Sequence, residues 1–211
     1  MMFWRILTLC TSIILLAGCG GAMLQRSEDT AARTYLLEWP GEPDVPVTDP
    51  AGPTLLVSPM LAAPGFDRSD MAYMRQPHQL EYFARHRWVD APARMLDPLL
   101  VRAATETGLF RNVVEAGGGT RADLRLDSRL LHLRQACRLN PSELQLAVRI
   151  SLVDIPSGRV MGTSTLSVDE PITERTAVAG VKSANRALQG LMSGLQDFLA
   201  AQVEARSGRS D

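Results

Sequence analysis

Leu144, Leu146, Val148, Ile150 and Leu152 alternate with Glu143, Gln145, Ala147, Arg149 and Ser151. A period of two held over residues 143–152 predicts a strand with one dry face and one wet face. Upstream, Ala122, Leu124 and Leu126 alternate with Asp123, Arg125 and Asp127, but the apolar phase then slips from Leu130 to Leu131 and Leu133. That slip predicts a β-bulge near Leu130. Asp154-Ile155-Pro156-Ser157-Gly158 reads as a turn leading back into Val160–Val168, where alternation is weaker. Phe110–Val114 is a further strand candidate, and Gly117-Gly118-Gly119 a turn. Nearer the start, Thr34–Leu37 and Thr54–Val57 are short β-prone runs, the second closed by Ser58-Pro59. Pro40, Pro43, Pro46, Pro50 and Pro53 exclude regular structure between them.

Two stretches carry the helical period instead. Met95, Leu96, Leu99, Leu100 and Ala103 recur at helical spacing after Asp90, a good N-cap, and Pro92, suited to a first turn. Pro98 either kinks this helix or opens a second one capped by Asp97, and Gly108 ends it. Val178, Val181, Ala184, Leu188, Leu191, Leu195, Phe198 and Leu199 form one stripe of a long amphipathic helix, suited to covering the dry face of a sheet. Residues 59–90 lack a clear period: a turn at Ala63-Pro64-Gly65-Phe66, then two extended segments joined around Pro77. The expected fold is α+β, a two-layer sandwich in which two main helices cover one face of a mixed or antiparallel sheet.

The first residues follow another pattern. Met1–Arg5 carries one positive charge, Ile6–Leu16 is apolar apart from Thr and Ser, and small residues follow. A spanning helix needs roughly 20 apolar residues, about twice this run. The layout is that of a secretory signal peptide at 1–18. A polar tether at 19–33, one domain at 34–205 and a short tail at 206–211 complete the expected organisation.

Charge and cysteines narrow the function. A net charge of −1 gives no electrostatic case for nucleic acid. Cys10 lies in the leader and Cys19 at its end, so Cys137 is a single thiol and the exported domain must rely on its core rather than on disulfides. The neighbours of Cys137, which are Ala136, Arg138 and Leu139, supply no base. His78, His86 and His132 have no metal-ligand spacing, and no G-x-S-x-G or S-x-x-K motif is present. The residues point away from an enzyme, and no cofactor or metal is expected.

Leu16-Ala17-Gly18-Cys19 resembles a bacterial lipobox, which implies cleavage before Cys19 and diacylglyceryl and N-acyl groups on that residue. The stretches Phe66-Asp67-Arg68-Ser69-Asp70-Met71-Ala72-Tyr73-Met74-Arg75 and Leu80-Glu81-Tyr82-Phe83-Ala84-Arg85-His86-Arg87-Trp88, with Tyr35-Leu36-Leu37 before them, resemble the ABC-type transport auxiliary lipoproteins of the PqiC/YmbA-like group. Met74 between Tyr73 and Arg75, and Pro98, depart from the family pattern. The resemblance implies a lipoprotein that docks a periplasmic MCE-domain protein, with its permease and ATPase, for lipid transport between membranes. Gly20 stands where aspartate would signal inner-membrane retention, which implies the outer membrane, facing the periplasm. A ring of copies would suit a multimeric tunnel. A structural lipoprotein of another envelope assembly, or a periplasmic lipid carrier, are the alternative roles.

Aromatic, Arg and Met side chains are enriched at protein interfaces, and Met adapts to irregular apolar partners. Phe66, Arg68, Met71, Tyr73, Arg75, Tyr82 and Trp88 are therefore the candidate partner contacts. The competing reading is that Trp88, Tyr82 and Leu80 pack under the helices as ordinary core.

Overall fold

The computed structural model describes residues 31–41, 48–117, 121–137 and 140–208. The lipid-attachment expectation at Cys19, the leader and most of the tether lie outside these residues. Among the described residues, nine strands and two helices follow in chain order. They are β1 (Arg33–Tyr35), β2 (Thr54–Val57), β3 (Leu61–Ala62), β4 (Asp70–Gln76), β5 (Gln79–Trp88), α1 (Pro92–Glu106), β6 (Asn112–Glu115), β7 (Leu124–Ala136), β8 (Ser142–Asp154), β9 (Arg159–Ile172) and α2 (Ala177–Ser207). Arg33, expected at the end of the tether, is in β1, and the last helix runs to Ser207.

β7 organises a single mixed sheet. Along one edge it pairs antiparallel with β8 from Leu124 to Ala136, and β8 pairs antiparallel with β9. Its other edge is shared by three parallel strands in succession: β2 beside Leu124–Leu126, β3 beside Arg129–Leu130 and β4 beside Arg134–Ala136. β6 then adds parallel to β2, while β5 adds antiparallel to β4 and β1 parallel to β5. The register of β7 with β8 shifts between Leu130 and His132, so the expected bulge is present and Leu131 is the extra residue. Leu124, Leu126 and Leu130 before it and Leu133 after it are all buried, which the phase change makes possible.

Both helices cover that face. α2 lies along β8 and β9, and α1 lies over β6 and β7 and against α2. Expected at Asp90, the N-cap of α1 is instead Ala91, whose extended backbone leads into Pro92 with no side-chain cap. Pro92 needs no capping partner because it has no N–H. Asp90 accepts the Ala91 N–H at 2.7 Å and pairs with Arg94. Pro98 lies inside one continuous helix, so Asp97 caps no second one. The Asp97 carboxylate accepts the Met60 N–H at 2.7 Å, joining α1 to the β2–β3 connection. Pro98 has no N–H to donate to the Arg94 carbonyl, and both residues lie on the exposed side of the helix. Gly108, at φ 68°, ends the helix as expected.

Thr176 caps α2 by accepting the Ala179 N–H at 3.1 Å. The buried stripe runs through Ala184, Leu188, Leu191, Leu195 and Leu199, each at most 1% exposed. Val178 does not belong to it: it is 39% exposed, because one turn of 3.6 residues puts Ala177 and Gly180, rather than Val178, over the sheet. A strap from Leu36 to Pro40 crosses both helices. Leu37 is buried, the Glu38 N–H reaches Asn185 at 3.2 Å, and the Trp39 indole N–H reaches Gln189 at 3.1 Å. The Arg102 guanidinium stacks 4.3 Å from the Trp39 ring and donates to the Trp39 carbonyl at 3.1 Å.

Leu188→Ala is expected to lower unfolding stability by about 2–5 kcal/mol, while Val178→Ala stays within about 0.5 kcal/mol; denaturant unfolding of both variants checks this. Gly52 is packed so tightly that a Cβ there would lie 2.6 Å from the Leu109 carbonyl oxygen and 3.2 Å from the Arg111 nitrogen. Neither backbone group can swing away as a side chain would, so Gly52→Ala should cost about 1–3 kcal/mol in the same assay.

Candidate partner-binding surface

The candidate residues sit on the β4–β5 hairpin and the loop before it. Pro77-His78 makes the turn, with His78 at φ 62°. β4 is held on the other side by β7, where Ala72 lies beside Arg134 and Tyr73 beside Gln135. Gln135 is buried directly under Gly180 of α2, so Tyr73 points to the helix side of the sheet and Ala72 to the open side. Between Asp70 and Ala72 the partner strand advances from Arg87 to Tyr82, so Phe83–His86 form a wide bulge in β5.

On the open side, three of the candidates meet. Tyr82, in register with Ala72, donates its hydroxyl to the Gly65 carbonyl at 3.0 Å. Arg68 stacks 4.5 Å from the Tyr82 ring and donates from Nε to Asp70 at 2.6 Å. Phe66 packs against the His132 ring, centroids 6.4 Å apart. The 63–69 loop is thereby latched onto the hairpin and onto the far side of the β7 bulge. Phe66, Met74, Pro77, His78, Leu80 and Arg134 line a shallow cavity of about 410 Å³ beside it. Burial lowers the His132 pKa, with Arg134 adding to the effect, so its ring is neutral at neutral pH.

Tyr73 and Arg75 fall on the other side. The Tyr73 hydroxyl donates to Glu81 at 3.0 Å, and Arg75 binds the same carboxylate through two nitrogens, Nε at 3.0 Å. The bulge brings Phe83 to Tyr73, centroids 4.6 Å apart, and His86 to Tyr35, whose hydroxyl is 2.9 Å from His86 Nδ1. Met71 and Trp88 are each 2% exposed. They are core, as the competing reading held for Trp88, and their side chains hold the hairpin in place from beneath. Tyr35, Glu81, Phe83 and His86 join the cluster without having been singled out, because the bulge that unites them leaves no periodic signal.

Cys137 is half-buried, and burial raises its pKa, so it is a thiol at neutral pH. Among the described residues no group of three or more His, Cys, Asp or Glu is arranged to hold a metal ion, and no helix is long and apolar enough to cross a membrane.

These features define an α+β domain with one covered and one open sheet face. The sequence model of the ABC-type transport auxiliary lipoprotein component family matches residues 35–208. The chain belongs to that family. No curated protein sequence matches the chain. Among solved structures it is similar to protein XCC0632 from Xanthomonas campestris, with a TM-score of 0.73 and 19% identity, covering 84% of this chain and 99% of that one. A second, uncharacterized protein matches with a TM-score of 0.62 and 11% identity over 80% of this chain and 99% of its own. At such identities the likeness is one of fold.

The Arg75 hydrogen bonds, reinforced by the Tyr73 hydroxyl, hold the Glu81 carboxyl below its ordinary value of 4.5. A lowered folded-state value means that the contribution is present above the unfolded value and lost as pH falls through the folded one. NMR titration should place Glu81 below 4.5 in the native protein, and Arg75→Ala should move it upward.

Proposed function

We propose that this chain is a non-enzymatic lipoprotein of the outer membrane, acylated on Cys19 and facing the periplasm. It serves an MCE-type intermembrane lipid transport system by docking the periplasmic MCE-domain protein, which works with its permease and ATPase. Family membership supports a transport-auxiliary role, and the Leu16–Cys19 motif supports the anchor. The observation that carries the docking surface is the open-side group of Phe66, Arg68 and Tyr82. An arginine stacked on a tyrosine with an aromatic neighbour is the chemistry of an interface hot spot, and its loop is fixed by the Tyr82–Gly65 hydrogen bond before any partner arrives. Tyr73 and Arg75 extend the surface around the hairpin. Met71 and Trp88 act through the hairpin's seat and do not touch the partner.

The lipoprotein purified from membranes should carry acyl mass on Cys19 and co-purify with an MCE-domain protein. Arg68→Glu combined with Tyr82→Ala should reduce that co-purification about tenfold or more. Ser193→Ala with Asp197→Ala, on the exposed side of α2, should leave it unchanged. Undiminished binding by the Arg68/Tyr82 variant would overturn the docking assignment, and an unmodified Cys19 would overturn the anchor.

A further inference from the structure

The β1–β5 edge lies where the chain from Cys19 joins the sheet, and its outermost side chains are not part of the hairpin surface. Leu36 and Val89 are 51% and 56% exposed. They are neighbours, since Tyr35 is in register with Trp88 and the Val89 N–H donates to the Tyr35 carbonyl at 2.8 Å. Arg87 lies on their face of the edge, opposite Thr34, and Arg33, opposite His86, lies on the other face; both are exposed. Of the nearby carboxylates, Asp70 is paired with Arg68 and Asp90 with Arg94, and Glu38 is exposed on the strap beyond Leu37. The half-buried rings of Tyr35, Phe83 and His86 lie behind this edge. Isolated exposed apolar residues need no explanation. Two at neighbouring positions, with an arginine on each face of the edge and aromatic rings behind, match surfaces that rest at a lipid–water boundary.

We propose that this edge rests on the bilayer that anchors the protein, with Arg33 and Arg87 at anionic phospholipid headgroups and Leu36 and Val89 at the acyl boundary. The proposal rests on the reading of Cys19 as acylated. About 14 residues separate Cys19 from Arg33, so the chain between them reaches roughly 50 Å at most. Arg33 is the described strand residue with the shortest covalent path to the anchor. Tethering at that range turns weak surface contacts into effectively intramolecular ones, and each arginine near an anionic surface adds about a further fivefold in affinity. The occupant favoured is therefore the membrane, rather than a second copy pairing along β1.

Hydrogen–deuterium exchange on the native processed protein, reconstituted in vesicles, tests this. In phosphatidylethanolamine with about one-quarter phosphatidylglycerol, peptides spanning 31–37 and 84–90 should exchange at least about threefold more slowly than in phosphatidylcholine. Arg33→Glu with Arg87→Glu should abolish the difference while the acylated first peptide stays with the vesicles. Equal exchange in both lipids, with acylation intact, would overturn the proposal and leave the anchor standing. Protection that persists in phosphatidylcholine and grows with protein density would overturn it in favour of self-pairing. A first peptide without acyl mass would overturn the anchor and this proposal with it.

Discussion

One extra residue in β7 holds the architecture in register. Without Leu131 as a bulge, the alternation that buries Leu124, Leu126 and Leu130 would continue through His132 and Arg134, driving an imidazole and a guanidinium under α2. A buried unpaired charge costs several kcal/mol, so the strand shifts phase instead. Leu133 and Gln135 turn inward, and His132 and Arg134 turn to the open face. The same strand offers consecutive segments of one edge to β2, β3 and β4, so the position of each depends on that phase.

The hairpin inherits its orientation from this arrangement. Because β4 docks beside Arg134–Ala136, past the bulge, Ala72 and Tyr82 share the open side with His132, and Tyr73 shares the helix side with Gln135. Phe66 then finds His132 as a partner, and Arg68 finds Tyr82. The ion pairs around these rings are solvent-exposed, with Arg68 and Arg75 side chains 52% and 65% exposed. Exposed pairs contribute little to stability. Their effect is geometric, holding cations over aromatic faces. The strap through Leu37 and Trp39 joins β1 to both helices, so a pull on β1 from its N-terminal side would be carried by the sheet and the helices together.

Much of the framework was legible in the residue pattern. The alternation of Leu144–Leu152, the phase slip at Leu130, the breaks at Gly108 and Gly158 and the stripe from Ala184 to Leu199 are local consequences of strand and helix periods. The misreadings also have local causes. Asp90 has a capping side chain, but it engages Arg94 and the adjacent amide, and Asp97 found an acceptor role with Met60 across the fold. Val178 lies one position off the buried line, a difference hidden until the helix has a sheet to rest on.

For the candidate surface, sequence alone determined composition: an aromatic and arginine-rich stretch between two prolines, after a short apolar leader ending at a cysteine. Tertiary structure decided which of those side chains are surface and which are core. Met71 and Trp88 are buried and Arg68 and Arg75 are exposed although all belong to one hairpin and the loop leading into it. That division depends on which edge of β7 the hairpin occupies and on the irregular bulge of Phe83–His86, both set by pairings distant in sequence. Local periodicity reports which way a residue faces within its own strand, but the identity of the layer it faces is a property of the assembled sheet.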